Sequence, residues 1–148
     1  MNLKQHLDYL FNPKSVAVIG ASNAFGKWGF GIFRLILTKG GRDVYPVNMH
    51  ESEVLGVRAY GSITEIPVPI DCAVIIIPSR EVPAAMQDCV RKEVKSVVLI
   101  SGGFAETGEE GAKIQREVVE IARRGGIRFV GPNCMGHFNA YVDFYTTP

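Results

Sequence analysis

Residues 15–23, Ser15-Val16-Ala17-Val18-Ile19-Gly20-Ala21-Ser22-Asn23, decide the fold: a short apolar run breaks into a small, polar, glycine-bearing turn. The run is too short for a helix and too uniformly apolar for a strand with one wet face, so it reads as a strand buried on both sides. Downstream, Gly20 to Trp28 forms the turn. Gly29 to Lys39 is apolar nearly all round and long enough for a helix, which Gly40-Gly41 ends. Upstream, apolar residues at 3, 7, 10 and 11 give Leu3–Phe11 the spacing of a short amphipathic helix, stopped by Asn12-Pro13.

The same alternation continues to the far end. Asp43–Val47, Cys72–Ile77, Ser96–Ile100 and Ile127–Val130 read as further strands. Between them, Ser62-Ile63-Thr64-Glu65 fits a capping box at a short helix, and Thr107-Gly108-Glu109-Glu110 fits a second one. Val82, Ala85, Met86, Cys89 and Val90 share one helical face, as do Ile114, Val118, Ile121 and Ala122 ahead of Gly125-Gly126. Continuous apolar strands separated by amphipathic helices predict an α/β fold of Rossmann type. Its sheet is parallel and doubly wound, in one domain over 1–148. After Val130 the chain turns irregular and aromatic through Phe138, Tyr141, Phe144 and Tyr145, then stops at Thr146-Thr147-Pro148 in the manner of a cut at a domain boundary.

Composition removes several classes. With 148 residues, 47% hydrophobic and 21% charged, the chain can bury a full core and is not expected to be disordered. A net charge of +1 leaves no electrostatic footprint for nucleic acid, and no run approaches a membrane span. Three cysteines without metal spacing, and no signal-peptide pattern at the N-terminus, fit a cytoplasmic setting and predict no metal site.

Open parallel sheets bind ligands beyond the carboxyl ends of their strands. The segments there are Gly20-Ala21-Ser22-Asn23, Asn48-Met49-His50, Pro78-Ser79-Arg80, Ser101-Gly102-Gly103 and Gly131-Pro132-Asn133-Cys134, nearly all of small or polar residues. The first turn, with Gly20, Gly26 and Gly29 around Lys27, is the candidate phosphate site. It is not a Walker A loop, because Ala21 and Trp28 occupy positions that need glycine and a hydroxyl, and Ser22 interrupts G-x-G-x-x-G. A bare ribose would call for an acidic residue at the end of the second strand. Asn48, with His50 close by, suits a phosphorylated ribose instead, so NADP or coenzyme A fits better than NAD.

Asn12-Pro13-Lys14-Ser15-Val16-Ala17-Val18-Ile19-Gly20-Ala21-Ser22 resembles the start of the CoA-binding domain of NDP-forming acyl-CoA synthetases. That family includes ADP-forming acetate–CoA ligases and the succinyl-CoA synthetase α subunit. Tyr45-Pro46-Val47-Asn48, Leu55-Gly56-Val57, Ser101 to Gly108 and Gly131 to Gly136 resemble further family segments in the same order, so the likeness covers nearly the whole chain. The resemblance implies coenzyme A as ligand. Gly20, Ala21, Ser22 and Asn23 would lie on its phosphates, with Gly26 and Lys27 beside them. Val47, Asn48, Ile77 and Pro78 would hold its adenosine part, the thiol would point toward Asn133 and Cys134, and His50, Ser101 and Gly102 complete the expected CoA-binding set. It also implies the reversible conversion of acyl-CoA, ADP and phosphate to carboxylic acid, CoA and ATP. That conversion needs a phosphohistidine domain and a nucleotide-grasp domain that this chain does not contain. His50 departs from the lysine common in relatives.

Two alternatives stay open at this stage. One is a regulatory or stand-alone CoA-binding module without ligase activity, and the other an NADP-binding oxidoreductase domain. Cys134 with His137 invites a nucleophile–base reading, but shaping the thiol pocket is the expected role. Cys72 and Cys89 are assigned to the core, Arg80 to solvent with a phosphate contact as the alternative, and Trp28 to packing beneath the first turn. The face around Cys134 and the aromatic tail is expected to dock onto further domains, and the oligomeric state, a homo-oligomer included, is left open.

Overall fold

The computed structural model describes residues 1–148. The elements follow in the order α1 (Leu3–Phe11), β1 (Ser15–Ile19), α2 (Trp28–Lys39), β2 (Asp43–Val47), a small hairpin of β3 (Glu53–Val54) and β4 (Val57–Arg58), and β5 (Cys72–Ile75). Then come α3 (Val82–Arg91), β6 (Ser96–Leu99), α4 (Glu109–Arg124), β7 (Arg128–Val130), and a closing hairpin of β8 (Phe138–Asn139) and β9 (Phe144–Tyr145). The main sheet runs β2-β1-β5-β6-β7 with every pair parallel. Beyond β2, Tyr60 forms a one-residue parallel bridge to Val47, its N–H donating to Pro46 O (3.0 Å) and its carbonyl accepting from Asn48 N (2.9 Å). Counting Tyr60 as a strand reduced to one residue, the order becomes the Rossmann order 3-2-1-4-5-6.

Alternate residues of each strand face opposite layers, which is why the central strands β1, β5 and β6 are apolar almost throughout. Ala17, Ile19, Ala73, Ile75, Val97 and Leu99 pack with Val82, Met86 and Cys89 of α3 and Val118 and Ala122 of α4. Val16, Val18, Cys72, Val74 and Val98 pack on the other face with Leu10 of α1, Ile32, Phe33 and Ile36 of α2, and Phe144 of the closing hairpin. Phe33 and Phe104 are fully buried, and truncating either to alanine costs about 3–5 kcal/mol.

Four local expectations are corrected. The strand expected over Cys72–Ile77 ends at Ile75, because Ile77 N donates to the Ser101 hydroxyl (3.0 Å) rather than to a neighbouring strand. The capping box expected at Thr107 does not form: Gly108 is the cap residue of α4, and the Thr107 hydroxyl donates to Phe104 O (2.8 Å). At Ser62 only half the box forms, over a single 3-10 turn, since Glu65 accepts from Gly61 N (3.1 Å) instead. A complete box stands instead at α1, where Asn2 and Gln5 exchange side-chain-to-backbone hydrogen bonds of 2.9 Å each. Finally, Trp28 is not beneath the first turn; it opens α2 and is 40% exposed, while Ile32 and Phe33 are buried.

Candidate functional site

From β1 the chain goes to β2 on one side and later to β5 on the other, so the sheet's switch point lies at the carboxyl ends of β1 and β5. Gly20 closes β1 there. Its N–H donates to Val47 O (3.0 Å), and it sits at φ +98°, a region that side chains disfavour. A Cβ on Gly20 would overlap the Ile76 carbonyl oxygen and lie 2.8 Å from its carbon. From the other side, a Cβ on Gly29 of α2 would overlap the Gly20 carbonyl. The first turn is thus held between α2 and the end of β5 at backbone-to-backbone distance.

Two asparagines fix what surrounds it. Asn48 Nδ2 donates to Ala21 O (2.8 Å), while Asn48 Oδ1 accepts from His50 N (2.7 Å) and Glu51 N (3.1 Å). Asn23 Nδ2 donates to Glu53 O and Asn23 Oδ1 accepts from Leu55 N, both at 2.9 Å, which fastens the turn to the β3–β4 hairpin. Ser22 Oγ accepts from Ala24 N (3.0 Å). The amides of Ser22 and Asn23 donate to no protein acceptor, which leaves successive N–H groups open to an anion.

A cleft of about 620 Å³ opens beside this turn. Of the sequence-predicted residues it brings together Gly20, Val47, Asn48, His50 and Ile77. A further wall was not anticipated as a wall: it is the face of the segment running into α3 that carries Arg80, Glu81, Ala84, Ala85 and Asp88. The spacing of four between these residues was the available signal, but it equally describes a solvated helix face. Asp88 is neutralised by Arg91 and accepts from Ser62 Oγ (3.3 Å). Arg80 and Glu81 both line the cleft and neither is in an ion pair, so the cleft holds a guanidinium free to meet a phosphate, with His50 on the same lining.

The other candidates lie outside the cleft. Ala21 is buried, and Gly26 and Lys27 are exposed at the far end of the turn, with Lys27 the cap residue of α2. Pro78 is exposed at the start of a 3-10 turn. Ser101, Gly102, Asn133 and Cys134 form a second group over β6 and β7. Ser101 Oγ bridges Ile77 N to Ile75 O, Ser101 O accepts from Asn133 N (2.8 Å), and a Cβ on Gly102 would lie 3.1 Å from Asn133 Oδ1. The Ile77–Ser101 bond joins the two groups into one track along the strand ends.

The thiol of the second group and the ring of His137, outside it, are each committed elsewhere. Cys134 Sγ donates to Leu99 O (3.4 Å). The His137 ring meets Leu10 O through Nε2 (2.8 Å) and Thr146 Oγ1 through Nδ1 (3.1 Å), so the two side chains form no nucleophile–base pair. Burial pushes the Cys72 thiol up to about 12 and the Cys89 thiol higher still, which marks both as core residues. No helix is long and apolar enough to cross a membrane.

A glycine cradle with free amides, an unpaired guanidinium and a track leading to small residues fits an elongated phosphorylated nucleotide with a long arm. Comparisons with known proteins agree. The model of the CoA binding domain family matches residues 14–140. The α subunit of ADP-forming acetate–CoA ligase II from Pyrococcus furiosus is 48% identical over 141 residues, covering 95% of this chain and 31% of that protein. Among solved structures, PH0766 from Pyrococcus horikoshii OT3 superposes with a TM-score of 0.92 at 50% identity, covering 95% of this chain and 32% of that one. The apo dinucleotide-forming acetyl-coenzyme A synthetase 1 of Candidatus Korarchaeum cryptofilum superposes with a TM-score of 0.90 at 37% identity, covering 95% and 31%. This chain therefore spans about a third of the length of those three proteins. With the family model matched over most of its length, the chain belongs to the CoA-binding domain family, and its ligand is coenzyme A.

Proposed function

We propose that this chain is the part of an ADP-forming acyl-CoA synthetase that holds coenzyme A, and that the cleft at the switch point receives its adenosine end. In this reading the free amides of Ser22 and Asn23 meet the diphosphate, and Arg80 and His50 face the ribose phosphate across the cleft. Asn48 braces the floor through Ala21, His50 and Glu51, and keeps one Nδ2–H for the ligand. The pantetheine arm then runs past Ile77 and Ser101 to Gly102, Asn133 and Cys134. Coenzyme A supplies a thiol that carries the acyl group as a thioester. The polypeptide's part is to hold that thiol beside Asn133, whose own N–H is given to Ser101 O, so that the free N–H of Gly102 is the group placed to steady developing negative charge.

The full reaction converts acyl-CoA, ADP and phosphate to carboxylic acid, CoA and ATP, reversibly. It needs a phosphohistidine domain and a nucleotide-grasp domain. His6 lies on α1, His50 at the cleft and His137 under the closing hairpin, and none stands at the thiol end as a phosphoryl carrier. The observation that carries the proposal is the close approach of Gly20 to Ile76, which makes the first turn a backbone-lined seat at the switch point.

Amide shift mapping on the ¹⁵N-labelled chain during a coenzyme A titration tests it. Perturbations should centre on Gly20 to Asn23, Asn48 to His50 and Ile77 to Arg80, then extend to Ser101 to Gly103 and Asn133. Perturbations centred instead on the cavity between α1 and β7, at Leu3, Leu7 and Phe129, would overturn it.

A further inference from the structure

Glu106 belongs to the Ser101-Gly102-Gly103-Phe104-Ala105-Glu106-Thr107-Gly108 segment, yet the site described above gives it no task. It is exposed and pairs with no cation. Its Oε1 instead accepts from two consecutive amides, Gly103 N (2.6 Å) and Phe104 N (3.1 Å). The next amide, Ala105 N, donates to Gln115 Oε1 of α4 (3.2 Å). Phe104 itself is fully buried, and its carbonyl accepts from Thr107 Oγ1 and Thr107 N. The loop is therefore tied down over 103–105 by side chains from its own downstream end.

Gly102 is what this leaves standing. It is exposed, and its N–H donates to no protein acceptor. A Cβ there would lie 3.1 Å from Asn133 Oδ1 and 3.5 Å from Glu106 Oε1, so the two side chains flank the residue. Its successor, Gly103, is pressed against Ser79, where an added Cβ would meet Ser79 Oγ at 2.8 Å. The loop thus touches the segment from β5 and the segment from β7, and the Glu106 carboxylate is the clasp that closes it.

We infer that Glu106 is a positioning residue for the thiol end: by holding the amides of Gly103 and Phe104 it fixes the free N–H of Gly102 beside Asn133, and so governs affinity for the acyl-bearing arm and not for the nucleotide. The inference rests on the placement of coenzyme A proposed above. It assigns the cleft and the thiol end separate determinants, because Glu106 does not line the cleft. A charge-assisted bond to each of two amides is strong enough for its loss to be read in binding.

The test is calorimetric titration of the chain and its Glu106 variants with adenosine 3′,5′-bisphosphate, coenzyme A and acetyl-CoA. Glu106→Ala should leave the bisphosphate affinity within about twofold while weakening coenzyme A and acetyl-CoA about tenfold. Glu106→Gln, which keeps an acceptor at Oε1, should recover most of the loss. Should Glu106→Ala fail to fold, Glu106→Asp, one methylene short of both amides, carries the same expectation. Equal losses for all three ligands, or none for any, would overturn the positioning role. Failure of the unaltered chain to bind the bisphosphate would instead refute the placement of the nucleotide, irrespective of Glu106.

Discussion

Alanine substitution at three glycines separates two effects that Gly20 combines. Gly26 sits at φ +87° with nothing within 4 Å of an added Cβ, so Gly26→Ala introduces backbone strain alone, about 1–2 kcal/mol. Gly29 has ordinary helical backbone, where alanine normally stabilises by about 0.5–1 kcal/mol, but its Cβ would overlap the Gly20 carbonyl. The overlap is with backbone, which yields only if α2 moves off the turn, a repacking that costs about 1–3 kcal/mol. Gly20→Ala meets both, strain at φ +98° and overlap with the Ile76 carbonyl, for a total of about 2–5 kcal/mol. Against a domain stability of about 5–15 kcal/mol that is a large share. Urea denaturation of the three variants reads these differences directly, and coenzyme A titration of those that fold reads the site. The order of destabilisation should be Gly20 over Gly29 and Gly26, with binding lost in Gly20→Ala and retained in Gly26→Ala. If Gly20→Ala costs no more than Gly26→Ala, close approach to β5 does not shape the turn and the argument fails.

Arg80→Ala should weaken coenzyme A about tenfold and dephospho-CoA far less, because a charge-assisted contact to the ribose phosphate is what is removed; equal losses would place Arg80 elsewhere on the ligand. Cys134→Ala should leave coenzyme A affinity within about twofold by calorimetry, since its thiol is engaged with Leu99 O and packs with the core on that face. In the folded chain a thiol reagent should titrate Cys134 ahead of Cys72 and Cys89, which are fully buried, and all three should react in urea. Burial holds the His137 ring below its ordinary value of 6.5, with Leu10 O partly opposing the shift. The unfolded chain therefore takes up a proton before the folded one. Stability should fall as pH drops below about 6.5 towards the folded value, by at most about 1.4 kcal/mol per pH unit, and His137→Gln should remove that slope in pH-dependent urea melts.

The layer architecture was legible because the three central strands, β1, β5 and β6, are apolar and buried almost end to end, the mark of cover on both faces, while the edge strands β2 and β7 begin on the exposed charges of Asp43 and Arg128. The phosphate turn was legible for a related reason: glycine at 20 and 29 marks places where backbones touch. The α3 wall was not, since Arg80, Ala84 and Asp88 repeat every four residues whether they face a ligand or solvent. Long-range bracing was equally hidden. Asn48 and Asn23 read as ligand groups at the strand ends, but their partners, Ala21, Glu53 and Leu55, are set by the fold and not by neighbours in sequence. The single-residue strand at Tyr60 and the two-residue strands β8 and β9 are too short for any period to register.

Calorimetric titration of this chain with coenzyme A, dephospho-CoA, NAD and NADP tests the central claim most directly. The account predicts saturable binding of coenzyme A, weaker binding of dephospho-CoA through loss of the phosphate facing Arg80 and His50, and little heat from either dinucleotide. Binding of NADP or NAD in preference to coenzyme A would contradict it.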